Sequence, residues 1–367
     1  MLIAIRDGMA EEWLDLESTV LVRHLDTQGE TYRRLGFEPL ANLDHACREL
    51  AAGRVFMGFN RGDDAGHLRA IHDAVDDADV VILGGGEVFL DISYAPLRGW
   101  VAYYEAIVQL CRWLGKPVVL TGASMPRLFD HACSDGVKRV LDNCSAVVLR
   151  DNLSAAMAAL GGYGGPVKVL PDPAFGLANV GNSLLPHNDL VPPYIGFALR
   201  WIYWRSDEQY EQHIAQWAHV ADTVAEKLGA TPVFIPHNLY PVDDRRLDDR
   251  ELAKDIMALM SYPAISIAHY DDPRDVFATY HDLDLVVAMR HHGAVLGLHA
   301  NVPTVAFPYS DKTTALMSEA GQSHWIYTPG ADVTELIIER YADSTPVDIA
   351  KYRDRWYGYM EVIHAAL

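Results

Sequence analysis

The stretch that decides the fold runs from Leu283 to Lys312 and reads LDLVVAMRHHGAVLGLHANVPTVAFPYSDK. It opens with a short Val-rich apolar run, Asp284–Met289, which is typical of a buried parallel strand. The apolar residues of Gly293–Ala300 predict a helix, and Asn301-Val302-Pro303 ends it. A second strand is predicted over Thr304–Pro308, so the whole stretch forms one β-α-β unit.

Cationic and titratable side chains follow the two strands of this unit. Arg290, His291 and His292 come after the first strand, and Tyr309 and Lys312 come after the second. Open α/β sheets bind ligands at the carboxyl ends of their strands. Arg offers a planar fork for a carboxylate or phosphate, Lys offers a point charge, and His can hold or give a proton near neutral pH.

The combination of Arg290, His292 and Lys312 therefore predicts a site for a small dianionic substrate that undergoes proton-coupled chemistry. Arg290 and His292 are two residues apart where an extended strand is ending, so we expect their side chains to leave on the same side. This spacing favours His292 over His291 for proton transfer. Two alternatives stay open: Arg290 pairs with an acidic residue, or His269 or His237 does the chemistry instead.

Length and composition indicate a two-domain protein with a large core. The chain has 367 residues, half of them hydrophobic, and a formal net charge of −20. This charge disfavours nucleic acid and anionic membranes as partners, and an anionic substrate requires locally concentrated positive charge. We attribute the acidity mostly to solvated helix faces such as Asp243-Asp244 and Asp248-Asp249.

Targeting and metal signals are weak. No apolar run approaches the roughly 20 residues of a membrane helix, and no secretory signal is apparent, which predicts a cytoplasmic protein. The four Cys lack CxxC or zinc spacing and are expected to be reduced thiols. His291, His292 and His299 have no carboxylate at ligand spacing, so no metal site is predicted.

The N-terminal half carries two further candidate sites at strand ends. The strand Asp79–Leu83 is followed at once by Gly84-Gly85-Gly86, whose backbone amides could approach a ligand closely; a tight turn is the alternative. A second strand, Ala146–Leu149, ends on Arg150, which either binds substrate or pairs with Asp151 or Asp172.

The C-terminal half begins with the strand Tyr194–Leu199, which ends on Arg200. Its predicted strands place one polar residue each on a common rim: Arg200, His237, His269, Arg290 and Tyr309.

Other elements are predicted from pattern alone. They are an edge strand over Leu2–Ile5, a strand over Arg54–Gly58, a helix over Asp64–Val75, a loop over Thr121–Pro126, a helix over Ser134–Asn143 capped by Ser134 or Asp135, a helix over Asp248–Ser261, a short strand over Trp325–Thr328 and a helix over Asp348–Ala366.

The order Met-Arg-x-His, apolar helix, x-Val-Pro-x-Val and Tyr-x-x-Lys resembles the polysaccharide pyruvyltransferase family. Arg290, His292, Pro303, Tyr309 and Lys312 fall on that pattern. The segments Gly84–Asp91, Arg150–Ser154 and Pro171–Phe175 are also similar to elements of the family. The chain departs from it at the opening, where Arg6–Met9 replaces a Gly-Asn-x-Gly-Asp turn; a similar string stands later, at Gly58–Asp63. A Gln that the family tends to have after the strand Lys116–Leu120 is missing.

The resemblance implies an α/β, GT-B-like architecture of two Rossmann-like domains facing a cleft. The expected domains are 1–180 on the acceptor side, 194–345 on the phosphoenolpyruvate side, and a helix at 346–367 that crosses back. The implied enzyme moves the enolpyruvyl group of phosphoenolpyruvate to a sugar or glycan hydroxyl, lipid-linked acceptors included, and forms a pyruvate ketal. No cofactor is implied, and an oligomer is left open.

The implied roles are acid/base catalysis by His292 and anion binding by Arg290 and Lys312. Substrate binding is expected from a further set: Gly84, Gly85, Gly86, Arg150, Arg200, His269 and Tyr309. Two alternatives remain at this point. One is a GT-B glycosyltransferase that uses a nucleotide sugar, and the other is a non-catalytic relative that binds an anion or glycan.

Overall fold

The structure is a computed structural model that describes residues 1–43, 45, 66–86, 88–90, 100–186, 190–201, 206–239, 245–343, 345, 347 and 349–367. Several predictions lie outside these residues: the strand Arg54–Gly58, the string Gly58–Asp63, the start of the helix Asp64–Val75, two positions of the Gly84–Asp91 segment, and Asp243-Asp244.

The chain divides into two compact units. The first comprises Met1–Gly176 together with Tyr352–Leu367, and the second comprises Leu177–Lys351. Hydrogen bonds tie the later segment to the rest of the first unit: Trp356 Nε1 donates to the Pro173 carbonyl at 2.9 Å, and the Tyr359 hydroxyl donates to the Pro171 carbonyl at 2.8 Å.

The described residues of the first unit form two parallel sheets. A two-stranded sheet pairs β1 with β2, and a four-stranded sheet has the order β3-β4-β5-β6. The strands are β1 (Thr19–Val22), β2 (Glu38–Ala41), β3 (Val81–Leu83), β4 (Val118–Ala123), β5 (Ala146–Leu149) and β6 (Lys168–Val169). The helices are α1 (Leu2–Glu12), α2 (Leu25–Arg34), α3 (His67–Asp77), α4 (Trp100–Leu114), α5 (His131–Asp142) and α6 (Asn152–Leu160).

Three predictions for the first unit were wrong. Leu2–Ile5 lies in α1, because a four-residue apolar run carries no period that separates strand from buried helix. The helix α5 starts three residues before Ser134, since Asp130 is the N-cap and accepts from the Cys133 N–H at 2.9 Å. Strand β4 continues through Thr121-Gly122-Ala123, which was expected to be a loop.

The second unit is built on one five-stranded parallel sheet in its described part. The strand order is β11-β10-β7-β8-β9, and the register aligns Leu285 with Ile195 and Ala288 with Ala198. Apolar runs such as LVVA at Leu285–Ala288 are buried along their whole length, as expected of strands covered on both faces. The strands are β7 (Tyr194–Ala198), β8 (Thr231–Phe234), β9 (Ile265–Ser266), β10 (Leu285–Ala288) and β11 (Thr304–Ala306).

The helices that connect these strands are α7 (Asp207–Leu228), α8 (Asp249–Met257), α9 (Pro273–His281) and α10 (His291–His299). After the last strand come α11 (Asp311–Glu319) and α12 (Val333–Ala342). They are followed by α13 (Ala350–Trp356) and α14 (Gly358–Ala366), which lead into the segment Tyr352–Leu367 of the first unit.

Local signals explain both bounds of α7. Ser206 and Gln209 form a capping box at the start of α7, and Gly229, with a φ of 60°, ends it.

Three predictions in this half were wrong. Trp325–Thr328 is not a strand; Ile326 forms a single bridge to Ala306 after a 3₁₀ turn. The helix predicted over Asp248–Ser261 ends at Met257. The helix predicted over Asp348–Ala366 is two helices, α13 and α14, which meet at Tyr357.

The glycine run after β3 extends the pairing between β3 and β4. The Ser124 N–H donates to the Gly86 carbonyl at 3.0 Å, and Gly86 has a φ of 112°, which disfavours other residues. A Cβ on Gly85 would lie 2.3 Å from the Gly122 carbonyl oxygen and 2.4 Å from that of Thr121. Gly85 is therefore required by the close approach of two backbones.

We predict that Gly85→Ala lowers the free energy of unfolding by about 1–3 kcal/mol, because the added methyl meets rigid backbone oxygens. Gly164→Ala is the control, since no heavy atom of the described residues lies within 4 Å of its Cβ position. The control should change stability by less than about 0.5 kcal/mol. Urea unfolding followed by circular dichroism measures both, and equal stability of the two variants would contradict this explanation.

Candidate functional site

The candidate site lies at one edge of the five-stranded sheet of the second unit. Because all five strands are parallel, their carboxyl ends share this edge. The rim residues follow those ends in sheet order: Tyr309 after β11, Arg290 after β10, Arg200 after β7, His237 after β8 and His269 after β9.

Arg200, Tyr309 and Lys312 form one part of the site. The Arg200 guanidinium lies 4.0 Å from the centre of the Tyr309 ring, and the Lys312 ammonium lies 5.0 Å from it. Burial lowers the pKa of Arg200 below its ordinary value; the positive charge of Arg290 adds to this, while Tyr309 and Asp249 oppose it. Arg200 and Lys312 thus lie close to one partly buried Tyr309 ring, and Arg290 is near enough to lower the pKa of Arg200.

Arg290 is held by a buried carboxylate that the sequence did not reveal. Its Nε donates to Asp249 Oδ2 at 2.8 Å, and its Nη2 donates to Asp249 Oδ1. Asp249 is 3% exposed, so the expectation that Asp248-Asp249 belong to a solvated helix face was wrong. The open alternative of an acidic partner for Arg290 is thereby realised, and the remaining N–H groups of its guanidinium lie outside this pair.

His237 is a neutral member of the rim. Its Nε2 lies 2.8 Å from the hydroxyl of Tyr280, a fully buried residue. Burial lowers the pKa of His237 to about 3, and the neighbouring His292 and Arg290 lower it in the same direction. His237 is therefore uncharged at neutral pH and can serve as a hydrogen-bonding group in the cation-rich region.

The two adjacent histidines belong to a helix, which corrects the geometry assumed from the sequence. His291 and His292 are the first residues of α10, so the extended-strand alternation does not apply to them. Successive residues of a helix point about 100° apart, so the two side chains still diverge. His291 is buried, with Nδ1 at 3.2 Å from the Thr313 hydroxyl, whereas His292 is half-buried and acts on the pKa of His237.

Two helices begin at this edge without a side-chain cap. Arg290 precedes α10 and Ser310 precedes α11, and within the described residues neither side chain makes a capping hydrogen bond. By contrast, Asp248 and Asp272 cap α8 and α9. Helix N-termini favour anions through their backbone N–H groups and dipole, so both starts add to the positive potential of Arg200, Arg290 and Lys312.

His269 lies at the far end of this rim, away from Tyr309 and Lys312. It follows the edge strand β9, which is four strands from β11 and hence roughly 19 Å away at the usual strand spacing. Its side chain is 63% exposed, and Nε2 lies 3.1 Å from Asp271 Oδ1.

The remaining predicted site residues lie in the first unit. Gly84, Gly85 and Gly86 continue the β3–β4 pairing described above. Arg150 is buried, and its Nη1 donates to Asp172 Oδ2 at 2.8 Å while its Nη2 donates to Ser124 Oγ. Arg150 thus forms the ion pair that the sequence left open as an alternative.

Metal and membrane signals are absent from the part of the chain that the structure describes. There, no three His, Cys, Asp or Glu side chains gather in a way that could hold a metal ion. Likewise, no helix among those residues combines the length and apolar character that a membrane span requires.

Comparison with known families identifies the chain. The sequence profile of the polysaccharide pyruvyl transferase family matches residues 1–311. The chain belongs to the polysaccharide pyruvyl transferase family. Membership makes this protein a transferase. No curated protein sequence matches it.

Solved structures show the fold of this polysaccharide pyruvyl transferase family member. UDP-GlcNAc 2-epimerase from Neisseria meningitidis bound to UDP-GlcNAc is 10% identical with a TM-score of 0.62, covering 99% of this chain and 96% of that chain. The Methanocaldococcus jannaschii enzyme in complex with UDP-GlcNAc and UDP is 11% identical with a TM-score of 0.57, covering 99% and 96%. Anabaena Alr3699/HepE in complex with UDP is 13% identical with a TM-score of 0.54, covering 99% and 92%. The predicted GT-B-like fold is confirmed.

We predict that Arg150→Met lowers the free energy of unfolding by about 3–5 kcal/mol, because it breaks the buried ion pair between Arg150 and the Asp172 carboxylate. Arg139→Met is the matched control: Arg139 pairs with Glu105, and the two side chains are 49% and 32% exposed. Losing that exposed pair should cost about 0–1 kcal/mol. Chemical denaturation of both variants measures the difference, and a fully stable Arg150→Met protein would show that Arg150 is not a structural residue.

Proposed function

We propose that the cation-rich edge of the second unit binds phosphoenolpyruvate, and that the enzyme transfers its enolpyruvyl group to a sugar or glycan hydroxyl. The observation that supports this is the convergence of Arg200, Arg290 and Lys312 with two uncapped helix starts, in a chain of net charge −20. A ligand that carries both a phosphate and a carboxylate matches such a concentration of positive charge.

The chemistry needs a proton and fixed cations rather than a nucleophilic side chain. A proton added to the terminal carbon of the enol makes C2 electrophilic, and a sugar hydroxyl attacks C2 and loses its proton. The C2–O bond to phosphate breaks, and its electron pair leaves with phosphate. A second hydroxyl of the acceptor then attacks C2 and gives its proton to the released phosphate or to solvent, which closes the pyruvate ketal. Cations that hold phosphate as its charge develops stabilise this departure electrostatically.

His292 is our candidate for the acid/base. It is half-buried at the start of α10, close in sequence to Arg290, and its interaction with His237 lowers the pKa of His237. Arg290, Lys312 and Arg200 would hold the phosphate and carboxylate, and the Tyr309 ring lies close to Arg200 and Lys312. The neutral His237 can donate or accept a hydrogen bond in the same site without adding charge.

We predict that phosphoenolpyruvate raises the thermal unfolding temperature of the protein, because a ligand that binds only the folded state stabilises it. Inorganic phosphate should act more weakly, since it lacks the carboxylate. UDP and GDP test the alternative of a nucleotide-sugar glycosyltransferase. Stabilisation by UDP or GDP without stabilisation by phosphoenolpyruvate would refute the proposal.

We predict that His292→Gln lowers turnover by about 10²–10⁴-fold while phosphoenolpyruvate binding largely survives, as expected on loss of a general acid–base. His291→Gln is the control, because His291 is buried against Thr313, and its turnover should fall much less. Phosphate release from phosphoenolpyruvate with a mixed glycan acceptor measures both, after circular dichroism confirms folding. Equal losses, or a loss only in His291→Gln, would overturn the assignment, and parent binding without turnover would indicate a non-catalytic relative.

A further inference from the structure

Asp249 connects two strand ends through one buried carboxylate. Its Oδ2 accepts from the backbone N–H groups of His237 at 3.0 Å and Asn238 at 2.9 Å, which follow β8. The same carboxylate accepts from Nε and Nη2 of Arg290, which follows β10. In the sheet, β8 and β10 lie on either side of β7, the strand that leads to Arg200. Asp249 therefore links the ends of β8 and β10 across the end of β7.

The pairing uses one defined edge of the Arg290 guanidinium. Nε and Nη2 form one edge of the planar group, and both donate to Asp249. The edge left for a ligand is formed by Nη1 and the second N–H of Nη2. An Arg side chain has many rotamers, and this pair restricts it to one presentation of that edge.

We propose that Asp249 is a positioning residue: it fixes Arg290 and the β8 end so that the outer edge of the guanidinium meets one anionic group of the substrate. Asp249 itself does not touch the substrate. The identity of the anion rests on the proposed function, whereas the fixed orientation of Arg290 does not require a ligand.

Removing the Asp249 carboxylate changes the affinity for an anion in opposite directions, depending on whether Asp249 positions Arg290 or acts only as a negative charge. Asp249 is an anion among cations: it pairs with Arg290, and its negative charge also raises the pKa of Arg200. If it served only as a charge, its removal would strengthen anion binding, because a repulsion disappears. If it positions Arg290, removal weakens binding in spite of the lost repulsion.

Asp248 provides a matched control at the same helix start. It is 7% exposed and accepts from Nε and Nη2 of Arg250 at 2.9 and 2.6 Å. Asp248→Asn therefore removes a carboxylate from a similar arginine pair one residue away without touching Arg290.

Calorimetric titration with phosphoenolpyruvate tests the proposal in the full chain. Asp249→Asn should weaken binding by about 10–100-fold, as expected on loss of charge-assisted hydrogen bonds. Asp249→Glu keeps the charge but displaces the carboxylate, so it should weaken binding as well, and it serves if Asp249→Asn fails to fold. Asp248→Asn should bind like the parent. Parent-like or tighter binding by Asp249→Asn and Asp249→Glu would overturn the proposal.

A double-mutant cycle with Arg290→Lys examines the coupling directly. Lysine has no fork, so in the Arg290→Lys background Asp249→Asn should no longer weaken binding and should strengthen it through lost repulsion. Additive effects in the cycle would show that Asp249 acts independently of Arg290.

A measurement without ligand separates this inference from the proposed function. The Nε–H NMR signal of Arg290, identified by its loss in Arg290→Lys, should exchange slowly with water in the parent and in Asp248→Asn. The signal should shift and exchange faster in Asp249→Asn. An unchanged signal would refute the positioning role even if phosphoenolpyruvate binds. Failure of the parent to bind phosphoenolpyruvate would instead refute the proposed function alone.

Discussion

The parallel direction of the five strands in the second unit is the constraint on which its site depends. Each connection must return through a helix to the opposite edge, so every strand delivers its carboxyl end to the same edge. Residues from Arg200 to Lys312, more than a hundred positions apart in sequence, are neighbours for this reason. The glycine at 293 supports the arrangement, because a Cβ there would lie 2.6 Å from the Ala198 Cβ.

This edge of the sheet gathers positive charge, although the chain as a whole is strongly negative. The protein carries a net charge of −20, yet Arg200, Arg290 and Lys312 lie together, and burial lowers the pKa of both Arg200 and His237. Perturbed titratable groups gathered at strand ends are more common at functional sites than elsewhere. Asp249 offsets part of the repulsion among these cations, and the phosphoenolpyruvate proposed above would offset more of it.

Much of this unit could be predicted because its signals are local. The Val-rich run Asp284–Met289 and the apolar run Gly293–Ala300, which ends at Asn301-Val302-Pro303, indicated the strand Leu285–Ala288 and the helix His291–His299 to within two residues. The roles of Asp249 and Tyr280 could not be predicted, because their partners lie 41 and 43 residues away and nothing local marks the pairing. The strand prediction for Leu2–Ile5 failed for the opposite reason: the apolar signal was local, but four residues are too few to define a hydrophobic period.

The first unit is built from two segments that are far apart in the sequence, and this affects the order in which the chain can fold during synthesis. All of Leu177–Lys351 leaves the ribosome before Tyr352–Leu367 does, although the latter segment belongs with Met1–Gly176. Trp356 packs so closely on Gly176 that a Cβ there would lie 1.9 Å from the indole, and Tyr352 stacks on Phe175. Because domains fold as units during translation, a nascent chain can complete the cation-rich sheet edge while the first unit still lacks its closing aromatic side chains.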